Sequence, residues 1–138
     1  MTLEWRASSI QDDAMPIRHT IYHPDRVVTG IATGEIALID LIAFAKTIAD
    51  DGLEHYRKIL DVIDARPTFS AAELKALTDY MRDHPVQRRG AVAFVVGQGG
   101  GEFARLFASF EMHGRPIQLF RSIHDARQWI AENPPPGD

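Results

Sequence analysis

Residues 91–96 form a run of six consecutive apolar side chains, Ala-Val-Ala-Phe-Val-Val. A strand with one face in water alternates apolar and polar residues, so an unbroken apolar run is typical of a strand that is covered on both faces. Such strands belong to parallel sheets with helices packed against them. The run therefore predicts an α/β protein in which 91–96 is a buried strand.

The rest of the chain alternates between strand and helix patterns. Residues 17–22 and 26–33 are rich in β-forming residues and flank the turn signal His23-Pro24-Asp25, which predicts an antiparallel hairpin. Apolar segments at 58–63 and 117–120 predict two further strands. Helices are predicted at 35–50, between Ser70 and Pro85, over the apolar stripe of 103–110, and between Ser122 and Pro134.

The resulting order, β-β-α-β-α-β-α-β-α, predicts a five-stranded mixed sheet flanked by four helices, with the initial hairpin antiparallel and the later strands parallel. The chain of 138 residues has the size of one domain. We expect an N-terminal extension at 1–16, a single α/β domain at 17–132 and a disordered tail at 133–138. Six large apolar residues at core spacings are expected to be largely buried: Phe94, Val96, Phe103, Phe107, Phe110 and Trp129.

The composition excludes several kinds of site. The absence of cysteine excludes disulfides, zinc–thiolate sites, iron–sulfur clusters and a cysteine nucleophile. The six histidines are dispersed, so no metal and no cofactor are expected, and no catalytic motif stands out, which predicts a protein that is not an enzyme. The formal net charge of −4 argues against nucleic acid as a partner. We expect no membrane span and no signal peptide, and therefore a cytoplasmic location.

Five segments carry a resemblance to a known fold family: Val27–Gly30, Ile59–Asp64, Ala91–Val96, Gln118–Ser122 and Ala126–Ile130. Their order and spacing resemble the STAS domain over roughly residues 17–132, in particular the SpoIIAA-like group that borders on the Sec14 lipid-binding domains. The resemblance implies a regulatory binding module that docks a protein partner. The relation of this group to the Sec14 lipid-binding domains implies an alternative, a carrier or sensor of a small anionic molecule or lipid.

The best-known members of this group have a phosphorylatable serine directly after an aspartate, where the third strand enters the second helix. This chain instead reads Asp64-Ala65-Arg66-Pro67-Thr68-Phe69-Ser70, so Thr68 or Ser70 would have to replace that serine. Ser70 and Glu73 also have the spacing of a capping box, which predicts Ser70 as the N-cap of the second helix.

Two loops are predicted to meet at the carboxyl edge of the parallel strands, where ligands bind in open α/β sheets. One is Asp64–Ser70 and the other is the glycine-rich Gly97–Gly101, which precedes a helix N-terminus that attracts anions. Their alternative roles are a helix cap and a flexible connection. The candidate binding residues are Asp64, Arg66, Thr68, Ser70, Gly97, Gln98 and Gly99.

Three functions remain open at this point. A protein-docking module needs a solid core and an open face at the two loops. A carrier needs an internal cavity. An enzyme would act on an anionic ligand at the same two loops.

The first helix carries an apolar stripe inside its polar face. With Thr33 as the cap and Glu35 as the first helical residue, Ile36, Ile39 and Ala43 fall among the polar residues, opposite the face that packs on the sheet. An exposed apolar stripe more often marks a contact surface than an isolated apolar residue does. We expect it to be covered by a second copy of the chain, by the segment around Leu3 and Trp5, or by a partner.

Overall fold

The computed structural model describes residues 16–83, 89–97, 102–110 and 115–135, without the side chains of Arg82, Phe103 and Phe110. Some of the predictions above concern other residues. The segment around Leu3 and Trp5, the loop positions Gln98 to Gly101, and the burial of Phe103 and Phe110 lie outside this description.

The described residues contain five strands and four helices in the predicted order. The strands are β1 (Ile17–Tyr22), β2 (Val27–Ile36), β3 (Arg57–Pro67), β4 (Val92–Val95) and β5 (Ile117–Phe120). The helices are α1 (Leu38–Asp50), α2 (Ala71–Asp83), α3 (Glu102–Phe110) and α4 (Ile123–Ala131).

The strands form one sheet in sequence order, β1-β2-β3-β4-β5. β1 is antiparallel to β2, and every later pairing is parallel. The predicted five-stranded mixed sheet is therefore confirmed. Because the parallel strands advance in one direction across the sheet, right-handed connections place α1, α2 and α3 on the same face.

The two faces of the sheet have separate apolar cores. On the face covered by three helices, strand residues pack with residues of α1 and α3: Ala32, Val92, Phe94, Leu41 and Ala104. On the opposite face, residues of β3 and β4 pack against α4: Ile59, Ala93, Val95, Ala126 and Ile130. The run 91–96 is buried throughout, as its continuous apolar character predicts.

The burial predictions are confirmed for Phe94 and Val96. Phe107 and Trp129 are only partly buried, and each packs against the edge of one of the two cores. Phe107 meets Phe94 edge-on, with ring centroids 5.7 Å apart. An aromatic residue at the edge of a core contributes apolar area while it keeps part of its ring in contact with solvent.

Ser70 is the N-cap of α2, as predicted. The Glu73 N–H donates to Ser70 Oγ at 3.1 Å, and the Ser70 N–H donates to Glu73 Oε1 at 2.8 Å. Each side chain thus satisfies a backbone amide that the first helical turn leaves without an intrahelical acceptor.

The predicted start of the first helix is wrong. β2 continues to Ile36, which pairs with Pro67 of β3, and α1 begins at Leu38 with Ala37 as its N-cap. The Asp40 carboxylate accepts the Ala37 N–H at 2.8 Å, so Thr33 has no capping role and lies within β2. Ile36 is 1% exposed and belongs to the core, so it is not part of any surface stripe.

β3 is longer than the predicted segment 58–63. It extends to Pro67, so Asp64 and Arg66 lie in a strand and not in a loop. The register shifts where Ile31 pairs with Asp61 and Thr33 with Asp64, because β3 carries one more residue than β2 there. This irregularity has the residue count of a β-bulge and lets the pairing continue beyond it.

Candidate functional site

A cavity of about 870 Å³ lies between the sheet and the helices of the three-helix face. Pockets that bind small molecules measure about 300–1,000 Å³. The volume therefore has the size of a binding pocket.

The cavity has mostly apolar walls. The sheet contributes Ile17, Gly30, Ala32, Leu60, Val62 and Phe94, and the helices contribute Leu41, Phe44, Ala45, Ile48, Leu77 and Met81. These side chains form a surface suited to an apolar ligand, because contact with such a ligand removes apolar area from water.

Two of the strand residues that line the cavity are small, and side chains of β3 and α1 approach one of them closely. Gly30 and Ala32 are consecutive residues of the inward-facing row of β2. A Cβ atom added to Gly30 would lie 2.9 Å from Leu60 Cδ2 and 3.7 Å from Phe44 Cζ, so even an alanine would crowd this part of the wall. Among the residues of α1, only Ile48 is fully buried.

One end of the cavity is polar, and Lys58 lies there. Lys58 is the second residue of β3 and is 5% exposed. Its Nζ donates to the carbonyl oxygens of Tyr56 at 2.7 Å, Leu53 at 3.2 Å and Glu54 at 3.3 Å. The turn that leads into β3 thus surrounds the ammonium group with three acceptors, which partly replace the water that burial removes.

The electrostatic surroundings of Lys58 favour its neutral form. Burial is the largest cause and lowers the pKa of Lys58 from 10.5 to about 7. The positive charge of Arg115 lowers the pKa further, Glu54 raises it, and Arg89 lowers it. All four side chains line the cavity.

This polar end lies at the amino ends of the parallel strands. Lys58 pairs with Val92 at the start of β4, and Val92 pairs with Ile117 at the start of β5. Arg89 lies three residues before the start of β4, and Arg115 lies two residues before the start of β5. The three cations come together because parallel strands begin at one edge of the sheet.

The sequence-predicted loop residues lie at the other edge of the sheet. Asp64, Arg66, Thr68 and Ser70 are exposed, and Gly97 directly follows the buried Val96 beyond the end of β4. Gly97 approaches β3, since a Cβ atom added to it would lie 3.4 Å from Ile63 Cγ2. None of these five residues lines the cavity, and their role in docking stays a prediction.

Thr68 and Ser70 also have local structural roles. The Thr68 Oγ1 donates to the Ile36 carbonyl at 3.3 Å, and Ser70 caps α2. These contacts hold the connection between β3 and α2 against the end of β2.

Two residues of the predicted interface stripe are exposed on α1. Ile39 is 66% exposed, and Ala43, one turn further along, is also exposed. Neither residue lines the cavity, so they lie on the outer side of the helix. Whether a second copy covers them stays a prediction.

Sequence reasoning missed Lys58, although its pattern contained a signal. Lys58 occupies the same alternating positions as Leu60 and Val62, which face the helices. A lysine at an inward-pointing position of a strand is expected either to be a buried cation or to lie near the edge of the sheet. Arg89 and Arg115 carried no comparable signal, because they precede their strands and approach Lys58 only in the folded chain.

Two further properties concern the described part of the chain. Over residues 16–83, 89–97, 102–110 and 115–135, no group of three or more histidine, aspartate or glutamate side chains is placed to hold a metal ion. Across those same ranges, no helix has the length and apolar character that crossing a membrane requires.

Comparisons with known proteins bear on the fold. No family model matches the chain, and no curated protein matches it. Among solved structures, it is similar to an uncharacterized protein from Shewanella loihica PV-4, described as a DUF3478 family member with a SpoIIAA-like fold. The two are 18% identical with a TM-score of 0.55, and the match covers 83% of this chain and 91% of the other. The predicted SpoIIAA-like fold is therefore confirmed.

Proposed function

We propose that this protein is a binding module that carries or senses a small apolar molecule in the cavity between the sheet and α1 and α2. The observation that supports the proposal is the cavity itself, with its volume of about 870 Å³ and its mostly apolar walls. A module that only docks a protein partner needs a solid core, whereas a carrier needs an internal space. The cavity therefore favours the carrier over the docking module.

The position of α1 also supports this function. Its residues Leu41 and Phe44 are only partly buried, although they face the sheet. Apolar side chains that face the sheet without complete burial gain apolar contact when a ligand fills the space beside them. The proposed function is binding, and no catalytic step is assigned to the cavity.

The proposal is tested with a neutral fluorescent probe, N-phenylnaphthylamine, whose emission rises in an apolar environment. We expect the purified protein to bind it with a stoichiometry of one. Ala45 lines the cavity and Ala43 does not, although both belong to α1. Ala45→Phe fills part of the cavity and should weaken probe binding at least about tenfold, whereas the matched control Ala43→Phe should leave it unchanged.

Two results would contradict the proposal. One is the absence of saturable probe binding to the wild-type protein under conditions in which circular dichroism shows a folded chain. The other is an equal effect of Ala45→Phe and Ala43→Phe on a probe that does bind. Native mass spectrometry of freshly purified protein adds an independent measurement, since a retained small molecule should appear as a discrete mass increment.

Docking of a protein partner at residues 64–70 is a second proposed function. It is supported by the exposure of Asp64, Arg66, Thr68 and Ser70 at the carboxyl end of β3 and the start of α2. This surface is separate from the cavity walls, so the two functions can be tested independently. Arg66→Glu should weaken partner capture in co-purification without changing probe binding, and capture that is equal for the variant and the wild type would contradict docking here.

A further inference from the structure

The cavity reaches solvent between α1 and α2. Its lining residues in the described ranges are buried or half-buried on the strands, on α3 and in the connecting segments. The lining residues that are exposed all belong to α1 or α2, and we call them the mouth of the cavity: Ile42, Lys46, Ala49, Glu73, Ala76 and Tyr80.

The mouth residues form one stripe on each helix. On α1 they follow one another at intervals of four and three residues, and on α2 at intervals of three and four. Such intervals place side chains along a single side of a helix. Because both stripes line the same cavity, the two helices flank one opening.

Both helices are anchored by residues outside the mouth. Ile48 of α1 belongs to a buried cluster that includes Val28 and Leu53. Leu74 and Thr78 of α2 are fully buried. α2 packs mainly against α3 and makes little contact with α1. The gap between α1 and α2 can therefore widen while these anchors stay in place, because regions with few mutual contacts open at a low cost in free energy.

The chemistry of the mouth suits the passage of an apolar molecule. Ile42 and Tyr80 are large side chains that are 39% and 59% exposed. An apolar molecule that passes between them exchanges contact with water for contact with apolar groups before it reaches the inner walls. The two charged residues of the mouth bind within their own helices, since Lys46 donates to Asp50 at 3.2 Å and Glu73 takes part in the α2 capping box.

We propose that ligands enter and leave the cavity between α1 and α2, and that the width of this mouth sets the rate of their exchange. The proposal rests on the proposed function and specifies how that site is reached. One route serves both entry and exit, so a narrower mouth should slow association and dissociation by the same factor and leave the affinity unchanged. A substitution in the inner walls should instead change the affinity.

The first test is stopped-flow fluorescence of the full chain with N-phenylnaphthylamine. Ala76→Trp narrows the mouth and should slow association and dissociation at least about fivefold each, with a change of less than about twofold in the dissociation constant. Ala72→Trp is the matched control, because Ala72 is exposed on α2 and does not line the cavity. Its exchange rates should equal those of the wild type.

The absence of cysteine from the chain permits a second, reversible test. Lys46→Cys and Ala76→Cys, combined in one protein, place a thiol on each side of the mouth. Dithiobismaleimidoethane then links α1 to α2 through a bridge that contains a disulfide. The linked protein should exchange the probe at least about tenfold more slowly. Dithiothreitol cleaves the bridge but leaves both labels attached, so the rate should recover in the same sample.

The outcomes separate the entry route from binding itself. Unchanged exchange rates in Ala76→Trp and in the linked protein would overturn the route and leave the proposed function intact. Equal slowing by Ala76→Trp and Ala72→Trp would also overturn it, as would a lower affinity of Ala76→Trp without slower association. If the folded wild type does not bind the probe, the proposed function fails and the route fails with it.

Discussion

Arg57 and Lys58 are adjacent buried cations whose side chains leave β3 on opposite faces of the sheet. Arg57 Nη1 donates to the Ile130 carbonyl at 2.6 Å and thereby connects β3 to the end of α4. Lys58 donates to the 53–56 turn and lines the cavity. Because successive side chains of a strand point to opposite faces, Arg57 lies on the α4 face of the sheet and Lys58 lies in the lining of the cavity.

The binding of an anionic probe should depend on pH through Lys58. Its pKa is lowered to about 7, so the ammonium is present below that pH and is lost above it. We expect the affinity for the anionic probe anilinonaphthalene sulfonate to fall severalfold between pH 6 and pH 8.5, with no matching change for the neutral probe N-phenylnaphthylamine. Fluorescence titrations should show that Lys58→Met abolishes this dependence, and a variant that retains it would assign the dependence to another group.

The same ionisation should appear in the stability of the protein. The unfolded chain protonates Lys58 below its ordinary pKa of 10.5, whereas the folded chain protonates it only below about 7. Between these values the unfolded state binds more protons, so the Lys58 contribution to the free energy of unfolding increases with pH. Urea unfolding should show the wild type gaining stability relative to Lys58→Met from pH 7 to pH 10, and a constant difference would contradict the lowered pKa.

Gly90 should tolerate no larger residue. Its N–H donates to the Glu54 carbonyl at 3.1 Å, and an added Cβ would overlap the Tyr56 backbone and lie 2.7 Å from the His55 carbonyl oxygen. Backbone atoms cannot yield as a flexible side chain does, so Gly90→Ala should lower the free energy of unfolding by at least about 3 kcal/mol.

Gly97→Ala, whose added Cβ would meet only Ile63 and at ordinary contact distance, is the matched control and should cost less than about 1 kcal/mol. Equal losses in urea unfolding would show that the close approach at Gly90 is incorrect.

The contribution of the α2 capping box to the stability of the protein should be measurable. Ser70→Ala removes the acceptor of the Glu73 N–H and should cost about 0.5–2 kcal/mol. Ser109 is exposed within α3, so Ser109→Ala should be neutral or slightly stabilising, because alanine is the better helix former. Thermal unfolding of the two variants provides the comparison, and an unchanged stability of Ser70→Ala would contradict the capping role.

Self-association is predicted to involve the outer side of α1. Ile39 is the most exposed large apolar residue of that helix. If a second copy covers it, sedimentation velocity should show a dimer that Ile39→Lys converts to a monomer. Ile63 is 47% exposed on β3, so Ile63→Lys is a suitable control and should leave the dimer intact. A monomeric wild type at high concentration would exclude self-association through α1.

Much of the fold follows from local patterns in the sequence. The continuous apolar run 91–96 predicted a strand that is covered on both faces, and the structure buries all six residues. The spacing of Ser70 and Glu73 predicted the cap of α2, because a capping box depends only on residues three apart. The boundary between β2 and α1 could not be predicted in this way, since the segment 33–36 becomes strand by pairing with 64–67, about thirty residues away.

Some features of the candidate site likewise follow from the local sequence, and others depend on tertiary packing. The sequence by itself determined the order of strands and helices, the buried strand and the alternation that points Lys58 inward, because these depend on residues close together in the chain. Only the tertiary structure decided that a cavity lies between α1 and the sheet, and that Arg89 and Arg115 lie with Lys58 in its lining. The volume of a cavity and the pKa of a buried group depend on atoms from distant segments, and their positions are set by the packing of the whole domain.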